Sequence, residues 1–179
     1  MKKILLIVSL ILWVNLSAQN EAANWYFGQN AGIQFDNTGN LIGSIDGGQL
    51  STLEGCTSIS DTNGNLLFYT DGNLVYNRNH QLMPNGTGLF GDSSSTQSAL
   101  VVPKPGDPNI YYIFTVDVAA TDNTDFGFNY SIVDITLDGG LGDISSKNIN
   151  LLQESSEKIT AVLKDCASQS IWVIVLSNV

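Results

Sequence analysis

Histidine is almost missing from this sequence of 179 residues, where His80 stands alone. A single imidazole excludes multi-histidine metal centres and leaves at most one imidazole base. No G-x-S-x-G segment occurs and His80 has no obvious acid partner, so a Ser-His triad lacks its other parts. His80 reads instead as a hydrogen-bonded strand-end residue. Cations are few as well: seven lysines and arginines face seventeen aspartates and glutamates, a formal charge of −10. Nucleic acid and anionic membrane surfaces are therefore poor partners. Helix-forming runs of Ala, Glu, Lys and Leu are scarce, while Gly, Asn, Ser, Thr and Asp recur. That balance points to an all-β, turn-rich chain.

Long apolar runs are missing too, except near the N-terminus. Residues 4–14 form an apolar run of eleven behind Lys2 and Lys3, too short to span a bilayer comfortably and suited to the h-region of a signal peptide. Residues 1–18 are read as that signal peptide, with Leu16-Ser17-Ala18 as the cleavage site between Ala18 and Gln19. Removing it takes two lysines and leaves five cations against seventeen carboxylates, a net −12. The expected protein is exported, either secreted or on the outer cell surface, with residues 19–179 as its β domain and no membrane span in the mature chain.

What the chain does contain is hairpin chemistry. Residues 56–80 read CTSISDTNGNLLFYTDGNLVYNRNH, three short strands joined by turns at Asn63-Gly64 and Asp71-Gly72, dipeptides that tolerate positive φ. The same plan returns in residues 98–117 and 160–177, each opened by a small hydroxyl residue and closed by an aromatic-bearing β-run. Ahead of the first copy, residues 24–45 form an extra meander; after it, residues 81–97 read as an outer strand plus a long polar loop. Pro103 and Pro105 fall at the end of a strand, where proline is tolerated.

Ser58 and Ser98 are 40 positions apart, and Ser98 and Thr160 are 62 apart, the excess being assigned to loop insertions at 118–128 and 138–150. Repeats of this size, each a small antiparallel sheet, are the mark of a β-propeller. Residues 171–176 are apolar at every position, as expected where both faces are covered. The fold expected is a partial propeller of about three four-stranded blades plus an N-terminal half-blade. Three copies are fewer than a closed ring needs, so the chain is expected to be the N-terminal part of a longer protein whose remaining blades complete it.

Several of these segments also carry a resemblance. NWYFG, LEGCTSISDTNGNLLFYTDG, YNRNH, LMPNGTGL, SSSTQSALVVPKPG, YYIFTVD and LDGGLGDI together resemble the N-terminal propeller region, WD-repeat-like or quinoprotein-like, of large secreted proteins of the Bacteroidetes, especially flavobacteria. Such proteins often continue into PKD-type domains and a C-terminal sorting signal for type IX secretion of the gliding-motility-associated kind. The resemblance spans nearly the whole mature chain and implies export to the surface or medium. It implies no particular activity.

Candidate chemistry is sparse. Asp61, Asn63 and Asn65 place oxygen side chains at alternate positions, as the start of a calcium loop does, and residues 36–40 form a second such segment. No glutamate closes either loop as the bidentate ligand an EF-hand needs, and an ordinary hairpin turn needs the same residues. Asp117, Asp122 and Asp125 form another acidic group, with a solvated loop as the plain alternative. Cys56 and Cys166 fall at opposite ends of their strands in non-adjacent repeats, which argues for free thiols over a disulfide. Trp25, Tyr26, Tyr69, Tyr76, Tyr111, Tyr112 and Trp172 suit either a carbohydrate platform or packing between sheets.

No nucleophile with an activator, metal constellation or cofactor loop emerges, so no catalytic residue is assigned. The expected function is a non-catalytic module that binds a surface protein or glycan, without a cofactor unless calcium occupies the Asp61 turn. The alternative is a propeller-fold polysaccharide lyase or glycoside hydrolase. That would need two carboxylates about 5 to 10 Å apart, and Asp61, Asp71 and Asp117 are the ones to check.

Overall fold

The computed structural model describes residues 20–118, 126–165 and 170–177. The described chain is all-β, in four successive antiparallel sheets with two single 3-10 turns, Asn20–Ala22 and Asp138–Gly140. The first sheet contains β1 (Asn24–Tyr26), β2 (Gly32–Phe35) and β3 (Leu41–Ser44). The second contains β4 (Thr57–Ser60), β5 (Leu66–Thr70), β6 (Leu74–Asn77) and β7 (Leu82–Thr87). The third contains β8 (Ala99–Pro103), β9 (Ile110–Val116), β10 (Phe128–Asp134) and β11 (Asp143–Leu152), and the fourth β12 (Ile159–Leu163) and β13 (Ile171–Val175). Within every sheet the strands lie in chain order.

Turn chemistry sets this meander. Three turns share one frame of five residues: 36–40, 61–65 and 77–81. The first residue donates its N–H to the carbonyl of the fifth at 2.8 to 2.9 Å, and the fourth donates back to the carbonyl of the first at 2.9 to 3.0 Å. The side-chain oxygen of Asp36, Asp61 or Asn77 also accepts the N–H of the fifth residue, an Asx-type lock. The fourth residue is left-handed: Gly39 at φ 83, Gly64 at φ 85 and, in the third turn, His80 at φ 61. Glycine adopts that conformation freely and histidine does so at a cost.

Each sheet packs on the next. Leu67, Phe68, Val75 and Met83 of the second sheet share a core with Tyr111, Ile113, Val133 and Ile144 of the third. Tyr26 and Leu50 meet Tyr69 on the other side of the second sheet, and Val116 and Phe128 meet Ile159, Val173 and Val175. Two-sided packing explains the nearly unbroken apolar sequences of β5 and β9. The first strands abut in series, β1 on β4, β4 on β8 and β8 on β12, and the fourth strands β7 and β11 also meet. Hydroxyls tie neighbouring sheets: Ser58 Oγ donates to the Asn24 carbonyl at 2.7 Å and Ser98 Oγ to the Asp71 carbonyl at 2.5 Å.

Several expectations need correcting. Among the described residues only two sheets have four strands; the sheet at residues 24–44 has three and the one at 159–175 has two. Residues 138–150 are not a loop insertion, because they hold most of β11, a ten-residue strand. Its sequence, DISSKNINLL, is polar because it is an outer strand with one neighbour, and its irregular pairing with β10 breaks the alternation that betrays a strand. The opening hydroxyls are not equivalent: Ser58 and Thr160 lie within strands while Ser98 precedes one. Nor is β13 covered on both faces, since Trp172 is 58% exposed and Ile174 49%. The signal peptide with Ala18 and Gln19, together with Asp122, Asp125 and Cys166, lies outside the described residues.

Candidate functional site

The seven aromatics do not form one platform. Tyr26, Tyr69 and Tyr76 are stacked between the first two sheets, with centroids 4.6 Å apart for Tyr26 and Tyr69 and 5.4 Å for Tyr69 and Tyr76. Tyr111 is buried against Phe68, and Tyr112 is half-buried beside Phe114 and Tyr130. Trp25 and Trp172 are exposed, one on the first sheet and one on the last.

His80 closes the tyrosine stack. Its ring meets Tyr26 edge-on at 5.4 Å and its Nδ1 lies 3.1 Å from the Tyr69 hydroxyl. That hydroxyl also accepts the Gln49 N–H at 3.2 Å, so it joins the imidazole to the backbone of residue 49. Gly47 fits against the far side of the ring, where a β-carbon would fall 2.9 Å from Cδ2. Burial pushes the Tyr69 phenol up to about 12, and burial also raises Tyr26 and Tyr76. The lone histidine thus fastens residues 45–50 and the first sheet to the second. The sequence indicated its need for a hydrogen bond but set it at a strand end; it stands instead in the turn between β6 and β7, three residues past Asn77, with the left-handed backbone that Gly39 and Gly64 have in the matching turns.

Asp36, Asp61 and Asp71, singled out for calcium or catalysis, are turn locks. Asp61 Oδ1 accepts the backbone N–H of Asn63 at 2.8 Å and of Asn65 at 2.9 Å, while Oδ2 accepts the Asn65 side-chain amide at 3.0 Å. Burial raises the Asp61 pKa, but these hydrogen bonds outweigh it and bring it below the ordinary value. Asp36 repeats the arrangement, and hydrogen bonds from the Thr38 hydroxyl and the Asn40 and Thr38 amides lower it to about 2. Asp71 Oδ1 receives Asn73 and Leu74 N–H at 2.9 and 2.7 Å, and Asp117 receives those of Val118 and Phe126 at 2.8 and 3.1 Å. Among the described residues, no three His, Cys, Asp or Glu side chains are grouped to hold a metal ion. Cys56 carries a free thiol, and its pKa is raised by burial and by the charge of Asp71.

The concave feature that sequence reasoning missed lies where the first strands come together. A cavity of about 380 Å³ opens among residues leading into β4, β8 and β12, lined by Glu54, Cys56, Thr57, Gln97, Leu100 and Ile159 among others. Its polar rim is held in place by Glu157, whose Oε2 accepts the Thr96 N–H at 2.9 Å and hydroxyl at 2.8 Å, and by Gln97, whose Oε1 accepts the Ile159 N–H at 2.9 Å. A smaller cavity of about 180 Å³ lies beside Trp25, Phe27 and Cys56. The sequence signal for the larger one was the short polar lead-in before each first strand, which reads simply as a loop until the strands are placed side by side.

No protein-family model, curated protein or solved structure matches this chain.

Proposed function

We propose that this chain is the blade-forming part of an exported β-propeller, acting as a non-catalytic module that binds a surface protein or glycan in the cavity among its first strands. The observation that carries the reading is the serial contact of β1, β4, β8 and β12. Sheets arranged radially bring their first strands together around one axis, and ligands of such rings bind at its mouth. Two further features support it. The cavity wall is neutral polar and apolar apart from Glu54 and the Cys56 thiol, and the Glu157 carboxylate at its rim is bound to Thr96. Of the aspartates that a hydrolase would recruit, Asp61 and Asp71 are held by backbone amides in turns, where hairpin formation accounts for them, and Asp117 accepts the Val118 and Phe126 N–H. Export is supported by the basic and apolar start of the sequence, and the outer surface and type IX route by the resemblance to flavobacterial surface proteins. The exposed apolar faces of the first and last sheets support further blades of the same protein beside them.

The test is affinity electrophoresis of the intact protein through gels carrying soluble polysaccharides, paired with an assay for released reducing ends. Retardation that Gln97→Ala weakens, without release of reducing ends, supports the reading. Turnover that Asp61→Ala or Asp71→Ala lowers at least a hundredfold in a folded protein would replace it with the enzyme.

A further inference from the structure

The third sheet provides an internal comparison, because its two faces are covered to different extents. Toward the second sheet, Tyr111, Ile113, Val133 and Ile144 are all at most 8% exposed. There the cover is a complete four-stranded sheet, and Val133 and Ile144, from the third and fourth strands, share the core that includes Val75 and Met83. Toward the fourth sheet the cover is a two-stranded hairpin. It buries Val116 and Phe128 against Ile159, Val173 and Val175. Farther out on the same face Tyr112, Tyr130 and Ile132 stay half-open, and Ile149 on β11 is exposed. These residues are continuous with the buried interface, since Tyr112 and Ile132 pair across β9 and β10, Tyr130 pairs with Phe114, and Phe114 stacks on Phe128 at 5.6 Å.

The edge of β13 points the same way. β12 occupies the first-strand position, against β8, and β13 pairs with it along Ile171 to Val175. The far edge of β13 pairs with no strand among the described residues. An unpaired apolar edge with no charged residue is a template for strand addition.

We infer that the free edge of β13 and the half-open strip of Tyr112, Tyr130 and Ile132 form one docking surface for an antiparallel hairpin of the protein's own chain, built like β10–β11. The hairpin supplies the third and fourth strands of the last sheet. Its inward side chains take toward Tyr112 and Tyr130 the place that Val133 and Ile144 take toward the second sheet. This inference rests on the radial reading above, but its failure is separable from the failure of that reading.

The experiment appends a copy of residues 128–152 after Ser177 through an Asn-Gly turn and compares hydrogen exchange and oxidative footprinting with the unextended chain. The expected result is exchange slowed at least tenfold at the β13 amides, with Tyr112 and Tyr130 protected from oxidation. A copy with its inward positions changed, Val133→Ser and Ile144→Ser in the appended hairpin, is expected to give neither effect. Unchanged β13 exchange, or equal protection by the altered copy, overturns the inference. So does protection of β13 in the unextended chain that rises with its concentration, which would make a second copy the occupant. In all these cases slow exchange in β5 and β9 would leave the packing of successive sheets standing; exchange there as fast as in β3 would sink the radial reading itself.

Discussion

Substituting His80 separates two opposing effects in one residue. Its backbone sits at φ 61, a conformation that costs a non-glycine residue about 1 to 2 kcal/mol. Its ring Nδ1 is hydrogen-bonded with the Tyr69 hydroxyl at 3.1 Å, and the ring meets Tyr26 edge-on. His80→Ala keeps the backbone cost and removes the ring. That leaves a fully buried hydroxyl without its side-chain partner, a loss of about 1 to 3 kcal/mol, and forfeits an aromatic contact of about 0.5 to 1.5 kcal/mol. His80→Gly forfeits the same interactions but relieves the backbone, so it should be the more stable of the two by about 1 kcal/mol. Tyr69→Phe removes the stranded hydroxyl, so it should destabilise the native protein while costing much less in the His80→Gly background. Urea unfolding, with midpoints compared at constant slope, measures all four free energies. Equal stability of the Ala and Gly variants would refute the left-handed turn, and additive effects of the Tyr69 and His80 changes would refute the hydrogen bond.

Acid should destabilise the turns. The folded pKa values of Asp36, Asp61 and Asp134 lie below the ordinary one, so the folded state binds these protons less tightly than the unfolded chain. Their contribution is present above about pH 4 and is lost as the pH falls through the depressed values, about 2 for Asp36; Asp36→Asn with Asp61→Asn should flatten that acid limb in thermal scans. With Cys166→Ser in place, the raised pKa and partial burial of Cys56 should make its alkylation at pH 8 at least tenfold slower in the folded protein than in urea. Gly72→Ala meets both a φ of 90 and a β-carbon 2.2 Å from Ser98 Oγ, so a loss above about 2 kcal/mol is expected. Phe68→Ala, in a fully buried site, should cost about 3 to 5 kcal/mol; a change under about 1 kcal/mol in either would contradict the packing described.

Local chemistry was legible and tertiary placement less so. The turns at Asn63-Gly64 and Asp71-Gly72 marked from the sequence where β5 begins and ends and where β6 begins, because Gly64 and Gly72 take the positive φ that such turns need. Asp61 was readable as a hairpin residue on the same grounds. β11 was hidden because an outer strand has no need of apolar alternation and its bulges disturb the remainder. The tyrosine stack could be counted but not located, since Tyr26 meets Tyr69 across 43 positions of sequence through packing of separate sheets. The cavity was hidden for a similar reason: the polar lead-ins before the first strands read as loops, and Thr57, Gln97 and Ile159 become neighbours only when those strands line up.

A density map of the intact protein at side-chain resolution tests the central claim most directly. The account predicts β1, β4, β8 and β12 side by side around one axis, with the cavity between Thr57, Gln97 and Ile159 at its mouth and further sheets covering Trp25 and Trp172. Sheets stacked as a closed two-layer sandwich, with those first strands apart and both tryptophans still facing solvent, would contradict it.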